Sequence, residues 1–591
     1  MYKEKKKILE KRAYTVYCCI FLIFIFLIFR LFFLQVLNQK RYKLLSDKNR
    51  IYTSFSVAPR GIIYDRNNNI LALSTYKYQA AIDLNQYIKN ETRWKHIKKE
   101  LNIDPDMVFK DIVDLQIKKK GPSRLIVIKK DLSWKDILRT EILSSKIPGI
   151  FTKKKIIRNY PFAETFCHVI GYVTAPKIED ISNDASLNIL DSTIGQAGIE
   201  QEKEFNLRGE IGVKYQEINA FRRFIRVIEE RKAKIGKSIQ TTLDASLQAE
   251  TIKIMGQVRK GAAIVINIKT GDILVMVSIP TFNPSLFSNQ MTNEQWKAIN
   301  SNPDNPLINR AISGLYAPGS TFKMVVALAA LKAGIINKHT TFYCPGYNDV
   351  NGRRFHCWKW RVGGHGTINI RQAISQSCDV FFYCVAEKLG ALRILEAAKN
   401  LGVGIKKNFG FKSEKSGFLP SASQTTGKSN IGQALNISIG QGKLLMTPLQ
   451  MVTMVASIAS GKLVIPQIIA SSDKPSFNEL PFSKEQLEIV QQGMRQVVSE
   501  GTAWHINNNE LEISGKTGST QIVSITNEER KQHKLNERPY HLRDHALFVG
   551  YAPTNDPTFA VVVVVEHGES GGRIAAPLAK EILLAAKRLV K

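Results

Sequence analysis

Between Ala13 and Leu37 the chain reads AYTVYCCIFLIFIFLIFRLFFLQVL, with Arg30 as its single charge. Lipid offers no partner to backbone N–H and C=O groups, so such a run crosses a bilayer only as a helix, and about 20 residues suffice. A cleaved signal peptide has a shorter apolar part and a small-residue cleavage site, which this run lacks. The run is therefore read as a retained anchor, with Arg30 snorkelling or lying near the outer interface. The preceding MYKEKKKILEKR holds six basic side chains against Glu4 and Glu10. That flank predicts residues 1–12 in the cytoplasm, 13–37 in the membrane and the rest beyond it. The topology narrows the meaning of the charge: 83 Lys and Arg against 51 Asp and Glu, +32 net, call for an anionic partner. Outside the cytoplasm there is no nucleic acid to bind, which leaves phospholipid or an acidic envelope polymer.

With 591 residues, 44% hydrophobic and 9% aromatic, the chain is neither disordered nor collagen-like, and its length suggests two to four domains. Residues 38–60 are polar and basic, as expected of a segment leaving an anionic membrane surface; from Arg60 to about Gly236 short strand-like runs (GIIYD, AAIDL, RLIVI) alternate with charged helices, so 38–240 is read as an elongated mixed α/β region. From about Ser238 the apolar runs lengthen, and residues 241–591 are read as a second domain. Gly261–Ser278, GAAIVINIKTGDILVMVS, is predicted to be a β-hairpin turning at Lys-Thr-Gly-Asp. Helical patterning follows in KMVVALAALKA, in residues 370–390 and in TPLQMVTMVASIAS. The end returns to strands, HALFVGYAP and TFAVVVVVEH, and a last helix, AAPLAKEILLAAKRL. Strands at both ends with helices between predict an α+β fold: one antiparallel sheet, its first and last segments paired, covered by helices. The charged stretch 526–544 is read as a solvated loop.

Three short motifs carry chemistry. In YAPGSTFKMVVALAALKAG, Ser320 stands at the start of a predicted helix, with Lys323 one turn on and on the same face. A serine hydroxyl needs a base to become a nucleophile, and a desolvated Lys amine can be that base. Ser471–Lys474 satisfies the same S-x-x-K spacing in an apparent loop, so the pattern alone is weak. Ser377-Cys378-Asp379 pairs a hydroxyl with a carboxylate, which suits proton shuttling and equally suits an ordinary helix N-cap. Lys516-Thr517-Gly518-Ser519-Thr520 offers fixed positive charge, hydroxyls for a carboxylate, and a glycine at which a substrate backbone can approach. Lys269-Thr270-Gly271 repeats K-T-G in the hairpin turn.

The ordered set is stronger than its members. S-x-x-K, then S-x-D, then K-T-G resembles the signature of the penicilloyl-serine transferases. Arg60-Gly61-Ile62-Ile63-Tyr64-Asp65-Arg66 resembles the membrane-proximal motif of class B penicillin-binding proteins. Gly195-x-x-Gly198-Ile199-Glu200 with Leu207-Arg208-Gly209 is similar to their pedestal motif, and Asn309-Arg310-Ala311, Gly440-Gln441-Gly442 and Thr447–Met451 also fit. The resemblance covers essentially the whole chain. It implies a pedestal over 38–240, a transpeptidase domain over 241–591, and acyl transfer from the D-Ala–D-Ala end of a peptidoglycan stem peptide. Ser320 would be the nucleophile and Lys323 its base, with Ser377 and Asp379 as proton relay. Lys516, Thr517 and Ser519 would hold the terminal carboxylate, Gly518 and Thr520 would complete the substrate strand, and the Ser320 and Ser519 backbone N–H groups would form the oxyanion hole. Ser-Cys-Asp-Val-Phe-Phe-Tyr and Leu542-Arg543-Asp544-His545 resemble the elongation-type members more than the septal ones. The resemblance further implies β-lactams as inhibitors, a periplasmic catalytic domain on the inner membrane, and partners in the elongation complex. Among these would be a lipid-II polymerase of the shape, elongation, division and sporulation family, contacting residues 50–240. A β-lactamase and a catalytically silent scaffold are the competing functions. Asp379 stands where Asn is commoner, and Ser519-Thr520 where Thr-Ala is usual.

Cys344, Cys357, His365 and Cys378 are spaced C-x12-C-x7-H-x12-C. Three thiolates and an imidazole are a closed tetrahedral zinc set, and some elongation-type relatives resemble this chain in carrying zinc beside the active site. A disulfide, favoured by an oxidising compartment, or plain buried thiols are the other readings. Zinc here would be structural, since acyl transfer needs no cofactor.

Overall fold

The computed structural model describes residues 2–40, 42–43, 50–83, 91–103, 125–189, 191–219, 224–288, 291–421, 431–471, 473, 475–523 and 538–590. They form two compact units, one of Met1–Pro59 with Gly209–Ile235 and the other of Arg60–Arg208 with Gly236–Lys591. In the first, the apolar run and its basic flank form one helix, Tyr2–Phe32, ending in a π-helical turn, Phe33–Leu37. Its apolar side chains from Tyr14, at 75%, to Leu37, at 63%, are exposed, save the half-buried Leu34. The same unit holds an antiparallel sheet in the order Ile51–Ser56, Gly212–Ile218, Phe224–Arg231.

The second unit begins with a five-stranded sheet that uses all three strand-like runs read from the sequence. Ile63–Tyr64 lies between Ile239–Gln240, its parallel neighbour, and Ile70–Asp83, which also pairs with Leu125–Lys129 and Ile150–Asn159. The Arg60–Arg66 motif fastens this part inward. Arg60 Nη2 lies 2.8 Å from both Glu200 and Glu204, and Arg158 Nε 2.6 Å from Glu200, all buried. Burial alone would raise the Glu200 carboxyl, but the Arg60 and Arg158 charges hold it below its usual value. Asp65 Oδ2 accepts from the Ala245 N–H at 3.1 Å, at the head of the Ala245–Met255 helix.

The larger sheet runs Ile273–Ile279, Gly261–Asn267, Phe559–Val565, His545–Ala552, Ser514–Thr520, every neighbour antiparallel. The predicted hairpin is therefore present, and the first segments pair with the last. Phe559–Val565 is buried at every position, which is why it reads as an unbroken Val run rather than an alternation. The helices Ala245–Met255 and Ala576–Leu589 pack together beside it, and Pro448–Ser460 packs against its three central strands. All of Pro448–Ser460 except Ser460 is buried, consistent with a helix apolar on every face; Thr447 caps it and Gly461, at φ +74°, ends it. Of the charged stretch 526–544, residues 526–537 lie outside the described residues, as do Ser472 and Lys474 of the second S-x-x-K.

Candidate active site

Ser320 lies in a 3-10 turn, Gly319–Phe322, that runs into the buried helix Lys323–Lys332. The approach to it is pinned. Tyr316 exchanges backbone hydrogen bonds with Met446 (2.8 and 2.9 Å), its hydroxyl donates to Glu566 (2.8 Å), and the Gly319 N–H donates to the Gly440 carbonyl (2.9 Å). Ser320 itself is half-buried, whereas Lys323 is 0% exposed. Lys323 Nζ donates to Asp379 Oδ1 at 2.7 Å, to the Ser377 carbonyl at 2.9 Å and to the Ser377 hydroxyl at 3.3 Å.

The second motif sits in a reversal between two helices, Ile370–Ser375 and Asp379–Leu389. Ser377 has φ +54°, a left-handed backbone uncommon outside glycine, and so presents both its oxygens to the lysine. Cys378 is the N-cap of the second helix, with no side-chain cap bond. Asp379 Oδ2 accepts from the Trp358 N–H at 3.0 Å, so two donors meet two carboxylate oxygens. Burial raises the Asp379 carboxyl above its ordinary range despite the adjacent Lys323 charge.

The third motif is on the edge strand Ser514–Thr520. Lys516, Gly518 and Thr520 alternate with Thr517 and Ser519, so the two sets flank the free edge from opposite faces. Lys516 is 0% exposed and donates to the Thr517 carbonyl at 3.2 Å. Its amine is held well below the ordinary lysine value, first by burial and then by the Lys323 charge. A Cβ on Gly518 would lie 3.0 Å from Thr321 Cγ2 and 3.1 Å from the Pro318 carbonyl. The backbone this glycine admits is therefore the chain's own Ser320 turn, where the sequence suggested a substrate's. The Thr520 hydroxyl donates to the Ala317 carbonyl (2.7 Å) and is buried, so it braces that turn. Ser519 is exposed and accepts from the Gly571 N–H at 3.3 Å. The Thr517 and Thr502 hydroxyls lie 2.7 Å apart. All three motifs thus come together beside the Ser320 turn, while Lys269-Thr270-Gly271 turns the hairpin at the sheet's opposite edge. Sequence reading missed Trp358 and Thr502, for neither stands in a recognisable pattern.

The donor atoms of Cys344, Cys357, His365 and Cys378 all lie within 4.8 Å of one another. His365 Nδ1 is 3.6 Å from Cys344 Sγ and 3.5 Å from Cys357 Sγ. Tetrahedral zinc bonds of about 2.3 Å to sulfur and 2.0–2.1 Å to nitrogen put such ligand pairs about 3.5 Å apart, so the set fits the ion. All three thiols are free. Cys344 is pushed down to about 3, its thiolate accepting from the Cys357 and Cys378 thiols. Cys357 Sγ in turn accepts from the Asp379 N–H at 3.4 Å, so this cluster abuts the second motif. Cys384 is half-buried against the core, and Cys167 is buried beside His168.

Comparison with known proteins gives a consistent relationship. A family model described as the penicillin binding protein transpeptidase domain matches residues 261–584, and one described as the penicillin-binding protein dimerisation domain matches residues 55–241. The chain is 31% identical, over 98% of its length and 88% of the relative's, to the peptidoglycan D,D-transpeptidase MrdA of Acinetobacter baumannii. It is 30% identical to MrdA of Escherichia coli strain K12, over 98% of the chain and 95% of the relative. Among solved structures it is similar to the Helicobacter pylori penicillin-binding protein (PBP2) in complex with MreC, with a TM-score of 0.79 and 27% identity over 91% of this chain and 99% of that one. A chain from a peptidoglycan synthase complex that coordinates polymerization and crosslinking gives 0.71 and 27%, over 97% and 98%.

Proposed function

The chain belongs to the penicillin-binding proteins, and from that premise we propose that it is an elongation-type peptidoglycan D,D-transpeptidase acting through a serine acyl-enzyme. The observation that carries this reading is that Lys323, Ser377, Asp379 and Lys516 come together beside the turn that holds Ser320. The MrdA relatives support elongation over septation. In the first half-reaction Ser320 Oγ bonds to the carbonyl carbon of a D-Ala–D-Ala peptide while Lys323 takes the hydroxyl proton. Lys323 can do so after passing a proton to Asp379, whose raised carboxyl favours that transfer. The peptide C–N bond breaks, D-Ala leaves with a proton relayed through the Ser377 hydroxyl, and the acyl group stays on Ser320. An amine from a second stem peptide then attacks the ester, forms the cross-link and returns the proton to Ser320. Lys516, Thr517 and Ser519 hold the substrate's terminal carboxylate, whose charge offsets the crowding of Lys516 by Lys323. The oxyanion hole is assigned to the Ser320 and Ser519 N–H groups.

Zinc is proposed at Cys344, Cys357, His365 and Cys378, where it would supply a rigid closed cross-link behind the second motif and take no part in acyl transfer. The basic flank supports an N-terminus in the cytoplasm and a catalytic domain in the periplasm. The solved relatives with MreC and in a synthase complex support partners of the shape system and a lipid-II polymerase. The test is intact-protein mass after benzylpenicillin treatment of the full chain in detergent. One stable penicilloyl adduct, absent from Ser320→Ala, is expected. An unmodified folded protein with intact drug would favour a scaffold, and one with consumed drug a β-lactamase. Metal analysis without chelator is expected to find about one zinc per chain, and stoichiometric zinc in Cys357→Ser would remove that ligand.

A further inference from the structure

Thr502 ends no motif and touches none of the reacting groups assigned above, yet it meets both the second and third motifs. Its N–H donates to the Ser375 carbonyl at 3.1 Å, two residues before Ser377. Its hydroxyl lies 2.7 Å from that of Thr517, one residue after Lys516. The approach is tight: a Cβ on Gly501 would lie 2.4 Å from the Ser375 carbonyl, and one on Gly572 would lie 2.7 Å from the Thr502 carbonyl. The segment is also held from behind by His505 Nε2, 2.9 Å from the Gly572 carbonyl. The backbone at Thr502 therefore cannot move away from Thr517 without moving either the Ser375 reversal or the Gly571–Gly572 turn that meets Ser519.

We propose that Thr502 is a positioning residue that supports the Thr517 hydroxyl as a donor to an entering carboxylate, and so sets the preference of the site for substrates ending in a free carboxylate. A pair of hydroxyls this close shares one proton. If Thr517 donates to Thr502, its lone pairs face the site and repel a carboxylate. If Thr502 donates to Thr517, the Thr517 proton is free for the anion and is polarised by the bond it receives. An incoming carboxylate selects the second arrangement, and Thr502 makes it available without rotating either residue.

The inference rests on the reading of these motifs as an acyl-transfer site, and the experiment separates the two. Acylation of Ser320 is followed in the intact chain with benzylpenicillin and with its methyl ester, resolving the binding constant from the acylation rate. Thr502→Val keeps the shape and removes the hydroxyl. It is expected to weaken binding of the acid by up to about tenfold, the worth of the neutral hydroxyl–hydroxyl bond that supports Thr517 as a donor. Binding of the ester and both limiting acylation rates should change by less than about twofold, and Thr502→Ser should restore the acid. Thr517→Val should lose the same preference, and the double variant should lose no more than either single one. An equal loss for acid and ester, or an unchanged ratio in Thr502→Val, would overturn the proposal. Should Thr502→Val not fold, Thr502→Ala carries the same comparison. If the unaltered chain is not acylated at Ser320, the transpeptidase reading itself falls.

Discussion

Asp379 shows why one atom can decide a residue type. Lys323 Nζ reaches one of its oxygens and the Trp358 N–H the other, and only a carboxylate accepts both bonds at once. An amide in the same pose turns an NH2 toward one of the two donors. Asp379→Asn is therefore expected to destabilise the fold by about 1–3 kcal/mol, the cost of a buried donor left unpaired. It should also slow acylation by benzylpenicillin at least tenfold if the proposed relay from Lys323 to Asp379 operates, since the acceptor is then lost. Denaturant unfolding and rapid-quench acylation measure the two, and an unchanged acylation rate would refute the relay. The letters Ser320, Lys323, Ser377, Asp379 and Lys516 were all legible in the sequence, because spacing on a helix or strand survives in one dimension. The reason for Asp in place of Asn was not legible, because Trp358 arrives from a loop whose path depends on Cys357 meeting Cys378.

Among elements, the spacing between the Ser514–Thr520 strand and the Ser320 turn is set by the absence of one methyl group. Adding it with Gly518→Ala places a carbon 3.0–3.1 Å from Thr321 Cγ2 and the Pro318 carbonyl, so the strand or the turn must give by a few tenths of an ångström. Misplacing reacting groups costs rate steeply. The expected result is a ten- to hundredfold slower acylation, roughly, with unfolding destabilised by about 1–3 kcal/mol, the cost of an added carbon in a packed site. A rate within twofold of the parent would show that the spacing has slack. Strand identity was legible where both faces are buried, as in Phe559–Val565, and so was the pairing of first and last segments. The packing of residues 60–208 against residues 236–591 was not. It depends on side-chain bonds such as Asp65 to Ala245 and Asn309 Nδ2 to the His168 carbonyl (3.1 Å), which leave no periodicity behind.

For the molecule as a whole, His168 links stability to pH. It is buried and neutral, its Nε2 2.7 Å from the Pro306 carbonyl, and burial lowers it to about 4, with the Arg310 charge adding to the effect. A histidine depressed in the fold binds its proton more readily when unfolded. Its contribution is complete above about pH 6.5 and falls as the pH drops toward about 4, at up to about 1.4 kcal/mol per pH unit. Glu200, held low by Arg60 and Arg158, contributes above the ordinary carboxylate range and loses that contribution only as the pH falls below it. Thermal unfolding between pH 7 and 4.5 should show this slope, and His168→Gln should remove about one proton from it; an unaltered slope would assign the effect elsewhere. The order of the large sheet has a further consequence, in time. Gly261–Asn267 pairs with Phe559–Val565, so its inner edge waits for a partner about 290 residues away. At ~5–20 residues per second, synthesis leaves that apolar edge unpaired for about 15–60 s, open to the wrong strand. A chain cut short before Phe559 would carry Ser320, Lys323 and the Ser377–Asp379 reversal, and still lack the strand that joins the sheet's two halves. Such fragments are a demand on chaperones and proteases rather than a pool of partial enzyme.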